Sequence, residues 1–152
     1  GFSVKAFSHL LGACKVGIFG SPKLAARYKK GFPRSLEGAP LLLPMEGTLL
    51  RRSLDQWFVS KEIRPLVAGE FKDSALLKTF GEAGTGLVAA PMAIEKEVRK
   101  HYGVGLVGTL DGVSESYYAI SIERRLKNPA VVAISDAAKG GLFSRNTSKK
   151  TN

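Results

Sequence analysis

The residue types able to do covalent or metal chemistry are few in this chain. Two histidines, His9 and His101, stand far apart, and no Cys/His or His/carboxylate cluster has metal-ligand spacing. The single cysteine, Cys14, sits in the strand-like run Cys14-Lys15-Val16-Gly17-Ile18-Phe19, where a thiol serves as a small core residue rather than a nucleophile. One cysteine allows no intrachain disulfide, in keeping with a reducing cytosol and a cytoplasmic location. There is no Gly-x-Ser-x-Gly turn and no Ser/His/Asp set in a convincing context. No catalytic residue, no cofactor and no enzymatic activity are therefore expected.

The run Gly81-Glu82-Ala83-Gly84-Thr85-Gly86 invites a phosphate-loop reading, and the order of elements argues against it. Phosphate loops leave a strand and enter a helix N-terminus, where free N–H groups point at the anion. Here the glycines leave a helix and enter a strand, as a helix stop and a tight turn. Loops that leave the carboxyl ends of strands are more informative, because open α/β sheets bind ligands there. Three such loops stand out: Gly20-Ser21, Pro44-Met45-Glu46-Gly47-Thr48 and Glu70-Phe71-Lys72-Asp73-Ser74. Pro91-Met92 is a fourth rim element. Each of the three places hydroxyls or backbone N–H groups at a helix start. Their acids, Glu46, Glu70 and Asp73, either are solvated loop residues or suit a cation or an amine better than a carboxylate, since oxygen ligands favour hard cations.

These loops need a scaffold, and the hydrophobic pattern supplies one. Strand-like and helix-like segments alternate, which predicts an α/β fold with a mostly parallel sheet. Residues 14–19 form the first strand of this sheet. Ser21 caps a helix with Pro22 at its first position and Gly31 past its end. Leu41-Leu42-Leu43 is a short buried strand stopped by Pro44. Thr48 opens a helix with Leu50, Leu54, Trp57 and Phe58 inward and Arg51, Arg52, Asp55 and Gln56 outward. Residues 65–69 form the next strand. Asp73 or Ser74 then caps a helix with Leu76, Leu77, Phe80 and Ala83 on its buried face. Residues 86–90 are again a strand, closed by Pro91. Ile94, Val98 and Tyr102 line another helix that ends at Gly103. A strand over 104–108, a polar turn over 110–115 and a strand over 117–122 come next. Asn128 caps a last helix with Pro129 at its first position and Gly140 as its stop.

At 152 residues the chain is long enough for one domain with a real core, and no apolar run approaches the roughly 18–20 residues a membrane helix needs. Gly1 opens an extended apolar segment, as expected of a fragment. The net charge of +10 would suit an anionic partner such as DNA. Three of those charges, Arg145, Lys149 and Lys150, lie in a polar tail expected to be disordered. The others scatter over several helices without a stripe or recognition helix, which fits solvated helix faces.

Several runs carry a family resemblance. Ala83-Gly84-Thr85-Gly86-Leu87-Val88-Ala89-Ala90-Pro91 resembles the "helix, glycine turn, strand, proline" segment of LysR-type transcriptional regulators. Leu41-Leu42-Leu43-Pro44 with its following polar loop and helix is similar too, as is Lys127-Asn128-Pro129-Ala130-Val131 at the last helix. Three runs look like the branch that activates sodium/proton antiporter genes in response to sodium. They are Gly69-Glu70-Phe71-Lys72-Asp73-Ser74-Ala75-Leu76-Leu77-Lys78, Tyr118-Ala119-Ile120 with Glu123-Arg124, and Gly141-Leu142-Phe143-Ser144.

The resemblance implies a lobe of the type 2 periplasmic-binding-protein-like fold, with helices on both faces of the sheet. It implies a division into residues 1–13, a hinge strand from a truncated first lobe; 14–110, the second lobe; 111–143, the hinge and return into the first lobe; and 144–152, the tail. It places Pro44, Met45, Glu46, Gly47 and Thr48 on an effector cleft, with Glu70, Ala90 and Pro91 nearby and Asp73 and Ser74 at its rim. The implied partners are a small-molecule or ion effector and further copies of the protein, in a dimer or larger oligomer. DNA would be reached only through an N-terminal domain absent from this sequence. The other protein class sharing this architecture is the two-lobed solute-binding protein. The apolar segment 117–122, parted from a first lobe, is expected to pair with another copy or with residues 2–11.

Overall fold

The computed structural model describes residues 5–122 and 129–141. The chain divides into two compact units, one formed by Lys15–Val113 and the other by Gly1–Cys14 with Ser114–Asn152.

The Lys15–Val113 unit holds β2 (Pro40–Pro44), β3 (Leu66–Phe71), β4 (Leu87–Pro91) and parts of β1 (Phe7–Gly20) and β5 (Gly105–Ser121), and the strand order is β3-β2-β4-β1-β5. β2 runs parallel to both β3 and β4, and β1 runs antiparallel to β4. Alternation along the strands divides the core into two layers. Val16, Ile18, Leu41, Leu43, Leu87, Ala89 and Val107 face one side, with Ala25 of α1 (Pro22–Lys29), Leu36 of a 3-10 turn, and Leu54, Trp57 and Phe58 of α2 (Leu49–Lys61) packed on them. Phe19, Leu42, Val88 and Ala90 face the other side under Val98 of α4 (Glu95–Tyr102), with Met92, Ile94 and Tyr102 against them. Gly81 of α3 (Ser74–Glu82) lies against Val88 on that second face. A strand covered on both sides must be apolar at every position, which explains the continuous runs of β2 and β4.

The sequence's punctuation acts largely as expected. Ser21 Oγ accepts from Leu24 N and Pro22 opens α1. Asp73, rather than Ser74, caps α3 by accepting from Ala75 N at 2.8 Å. α3 ends at Glu82, and the glycine run that follows is a helix stop entering β4. Phe80, expected on the buried face of α3, is 42% exposed and packs instead on Phe71. Leu76 and Leu77 have side chains outside the described residues.

Two expectations need correction. The polar segment 110–115 is no turn, and residues 105–121 form the single strand β5. Leu110 and Val113 are both buried on one face, a spacing one residue longer than strand alternation allows. Gly112, at φ +76°, lies inside that strand without ending it. Likewise β1 is continuous over 7–20, joining two segments read separately. Asp111-Gly112 carries turn chemistry, and only the buried residues on either side reveal that the strand goes on.

In the other unit, Tyr118 and Ile120 of β5 alternate as exposed residues. Cys14 is buried. Tyr117 donates to Glu115 at 3.1 Å, and burial followed by that carboxylate pushes its phenol well above the usual range. α5 (Pro129–Gly141) begins at Pro129 as expected but runs through Gly140 instead of stopping there, since Gly weakens a helix interior without forbidding it. Asn128 and the tail lie outside the described residues. Among the described residues no helix is long and apolar enough to cross a membrane.

A Cβ at Gly112 would meet no atom within 4 Å, so Gly112→Ala isolates the cost of a left-handed backbone. The variant should lose about 1–2 kcal/mol of stability in urea unfolding, with an unchanged slope.

Candidate functional site

Three parallel strands end at the same edge of the sheet, because β3 and β4 both run with β2. Their exits bring together Pro44-Met45-Glu46-Gly47-Thr48, Glu70-Phe71 and Ala90-Pro91. The fourth loop does not join them. β1 runs antiparallel to β4, pairing Val16 with Pro91 and Phe19 with Val88. Gly20-Ser21 therefore lies at the opposite end, with Ser21 beside Gly84. Direction was the missing knowledge, since nothing in the run Cys14–Phe19 distinguishes a parallel from an antiparallel strand.

The loop after β2 is built from local bonds. Met45 N donates to Phe71 O at 3.0 Å, fastening it to the end of β3. Gly47 turns it at φ +90°, a conformation that favours glycine. Thr48 Oγ1 donates to Met45 O at 3.1 Å and accepts from Arg51 N at 3.2 Å, so one hydroxyl closes the loop and caps α2. Met45, Glu46, Gly47 and Thr48 are exposed, Pro44 and Pro91 are half-buried and Ala90 is buried. Ser74 begins α3, and its side chain lies outside the described residues.

One charged side chain near this edge faces the opposite way from its expected orientation. Arg51, expected to face solvent, is only 6% exposed, and it is the one buried charged side chain among the described residues. Its Nε donates to both Asp55 oxygens at 3.0 and 3.1 Å, and its Nη1 donates to Pro44 O at 2.9 Å. Nη1 also lies 3.5 Å from Glu70 Oε2, and Nη2 lies 3.8 Å from Glu46 Oε1. Burial alone would lower the guanidinium's pKa; the Asp55 and Glu70 carboxylates outweigh that and raise it above its ordinary value. Arg51 is therefore a permanent cation. The signal was present in the spacing: Arg51, Leu54 and Phe58 stand at i, i+3 and i+7, on one helical face.

Three carboxylates on one guanidinium leave the cluster with a formal excess of negative charge. Glu46 is 81% exposed, so its pairing contributes only about 0–1 kcal/mol and leaves it accessible. Asp73 is engaged at the start of α3 and appears in no ion pair with Arg51. Among the described residues no three His, Cys, Asp or Glu side chains gather as a metal centre would. His101 pairs with Glu97 on the exposed surface of α4, away from this edge.

The model of the LysR substrate binding domain matches residues 7–142. This chain belongs to that family. It is a LysR-type effector-binding regulatory domain, and the family's role is regulation of transcription rather than catalysis. The match sets aside the solute-binding alternative. The chain is 35% identical over 116 residues to the transcriptional activator protein NhaR of Escherichia coli and, to the same extent, to that of Shigella flexneri. The aligned part is 76% of this chain and 38% of either relative, so the chain spans well under half the length of the regulators it resembles.

Solved structures show the same fold at low identity. The reduced regulatory domain of OxyR2 from Vibrio vulnificus superposes with a TM-score of 0.66 at 12% identity, covering 93% of this chain and 69% of that one. The regulatory domain of HypT from Salmonella typhimurium gives 0.62 at 16% identity, covering 92% and 68%. The effector-binding domain of QuiR in complex with shikimate gives 0.61 at 16% identity, covering 90% and 65%. The sheet and its helices thus have the type 2 periplasmic-binding-protein-like fold of these domains.

Because the Thr48 hydroxyl both closes the loop and caps α2, Thr48→Ala should cost about 0.5–2 kcal/mol in urea unfolding. The amide signals of Met45 and Arg51 should shift most in its ¹⁵N spectrum.

Proposed function

We propose that this chain is the sensing part of a LysR-type transcriptional regulator, and that its effector binds at the edge where β2, β3 and β4 end. On this reading residues 14–110 are the second lobe of a two-lobed domain. Residues 1–13 and 111–143 are the hinge strands and the return into the first lobe, and 144–152 is the tail. Pro44, Met45, Glu46, Gly47, Thr48, Glu70, Ala90 and Pro91 line the cleft face, with Asp73 and Ser74 at the rim. The observation that carries the reading is the convergence of three parallel strand ends on one edge, in a chain of this family.

The effector on this reading is a cation or an amine. The guanidinium that would otherwise receive a carboxylate effector already faces Glu46, Asp55 and Glu70. A further anion would add a fourth negative group to the same cation. QuiR was solved with shikimate, which shows a ligand held by this fold without fixing the ligand here. A bound effector favours the arrangement of lobes that it contacts best, and its differential affinity biases an oligomer of the regulator. DNA is reached through other parts of the parent protein, in the cytoplasm.

Sodium chloride titrated into the ¹⁵N-labelled two-lobed domain, with potassium chloride as control, tests the cation reading. Saturable shifts at Glu46 and Glu70 with sodium, and weaker ones with potassium, are expected. Equal, non-saturating shifts with both salts would remove it.

A further inference from the structure

We propose that Arg51 is the positioning residue of the effector site, holding the β2 and β3 exit loops in register and linking them to α2. The inference rests on the reading of those loops as the effector site. Its physical basis is that one buried guanidinium spans three separate pieces of chain. It reaches Pro44 O at the end of β2 and Glu46 in the loop after it, Glu70 on β3, and Asp55 one turn along α2.

The three partnerships differ in kind. Asp55 takes Nε with both oxygens at 3.0 and 3.1 Å, an i,i+4 contact that stays within α2 whatever the loops do. Pro44 O, at 2.9 Å, fixes where β2 hands over to its loop. Glu70 and Glu46, at 3.5 and 3.8 Å, are the longer contacts, and they are the ones an effector competes for. An effector that draws Glu46 or Glu70 away leaves Arg51 with its own helix and the Pro44 carbonyl. The tie between loops and helix then weakens at the first turn of α2. The coupling is reciprocal, so a shift of that turn changes the loops' readiness for the effector. Lysine cannot substitute, because a single ammonium lacks the planar fork that meets partners on three sides.

Amide hydrogen exchange on the full 152-residue chain tests this without any ligand. Met45 N–H reports the loop through its bond to Phe71 O, and Arg52 N–H reports the first turn of α2 through its bond to Thr48 O. Leu66 N–H, bonded to Ala39 O at the other end of the β2–β3 pair, is the internal control. In Arg51→Met, exchange at Met45 and Arg52 should quicken about tenfold or more while Leu66 is unchanged, and Arg51→Lys should restore neither.

Unchanged rates at Met45 and Arg52 would overturn the proposal. So would equal acceleration at Leu66, which marks general loss of stability, or full rescue by lysine. Should Arg51→Met fail to fold, Glu70→Gln decides: faster exchange at Met45 with Leu66 fixed supports the proposal, and no change at Met45 overturns it. A silent sodium titration beside these rates would remove the cation reading and leave the positioning role standing.

Discussion

A charge taken out of water must be met by other charges, and in this domain that requirement falls on Arg51. Loss of water around a guanidinium disfavours its charge, and the surrounding groups offset that. Here the offset comes from a main-chain carbonyl and three carboxylates on different elements. The Glu46 pair, the most exposed of them, contributes little by itself. Removing the guanidinium is another matter, since it leaves Pro44 O without its donor and three acids without a counter-charge. That asymmetry is why one side chain is proposed to position the β2 and β3 exits.

The sheet explains why this edge is the place for such a residue. Parallel strands deliver their carboxyl ends together, so β2, β3 and β4 bring their exits to one edge without any long loop. The core layers on either face fix the strands, and the bond from Met45 N to Phe71 O carries that order one residue beyond them. The loop itself has little apolar burial of its own. It depends on Gly47, on the Thr48 hydroxyl and on Arg51, and a segment held by so few contacts can respond to a ligand.

Much of this was legible in the residues. The apolar runs Leu41-Leu42-Leu43 and Leu87-Val88-Ala89-Ala90 announced strands covered on both faces, and Ser21, Thr48 and Asp73 announced their caps. Strand direction was not legible. It sent Gly20-Ser21 to the wrong end, because alternation tells which face a residue takes and not which way its strand runs. Asp111-Gly112 misled because residues with turn chemistry can also stand inside a long strand. Arg51 misled for a different reason. A charged residue on a helix is usually solvated, and of the acids that make its burial tolerable only Glu46 and Asp55 are near in sequence, while Glu70 lies on β3.

The measurement closest to the heart of this account is a double-mutant cycle on Arg51 and Glu70, with Arg51→Met, Glu70→Gln and the double variant followed by urea unfolding. Residues of one network couple by about 0.5–3 kcal/mol. A coupling in that range is predicted, with the double variant losing less stability than the two single losses together. Strict additivity would contradict the account, because it would mean that the β3 exit does not depend on the buried guanidinium.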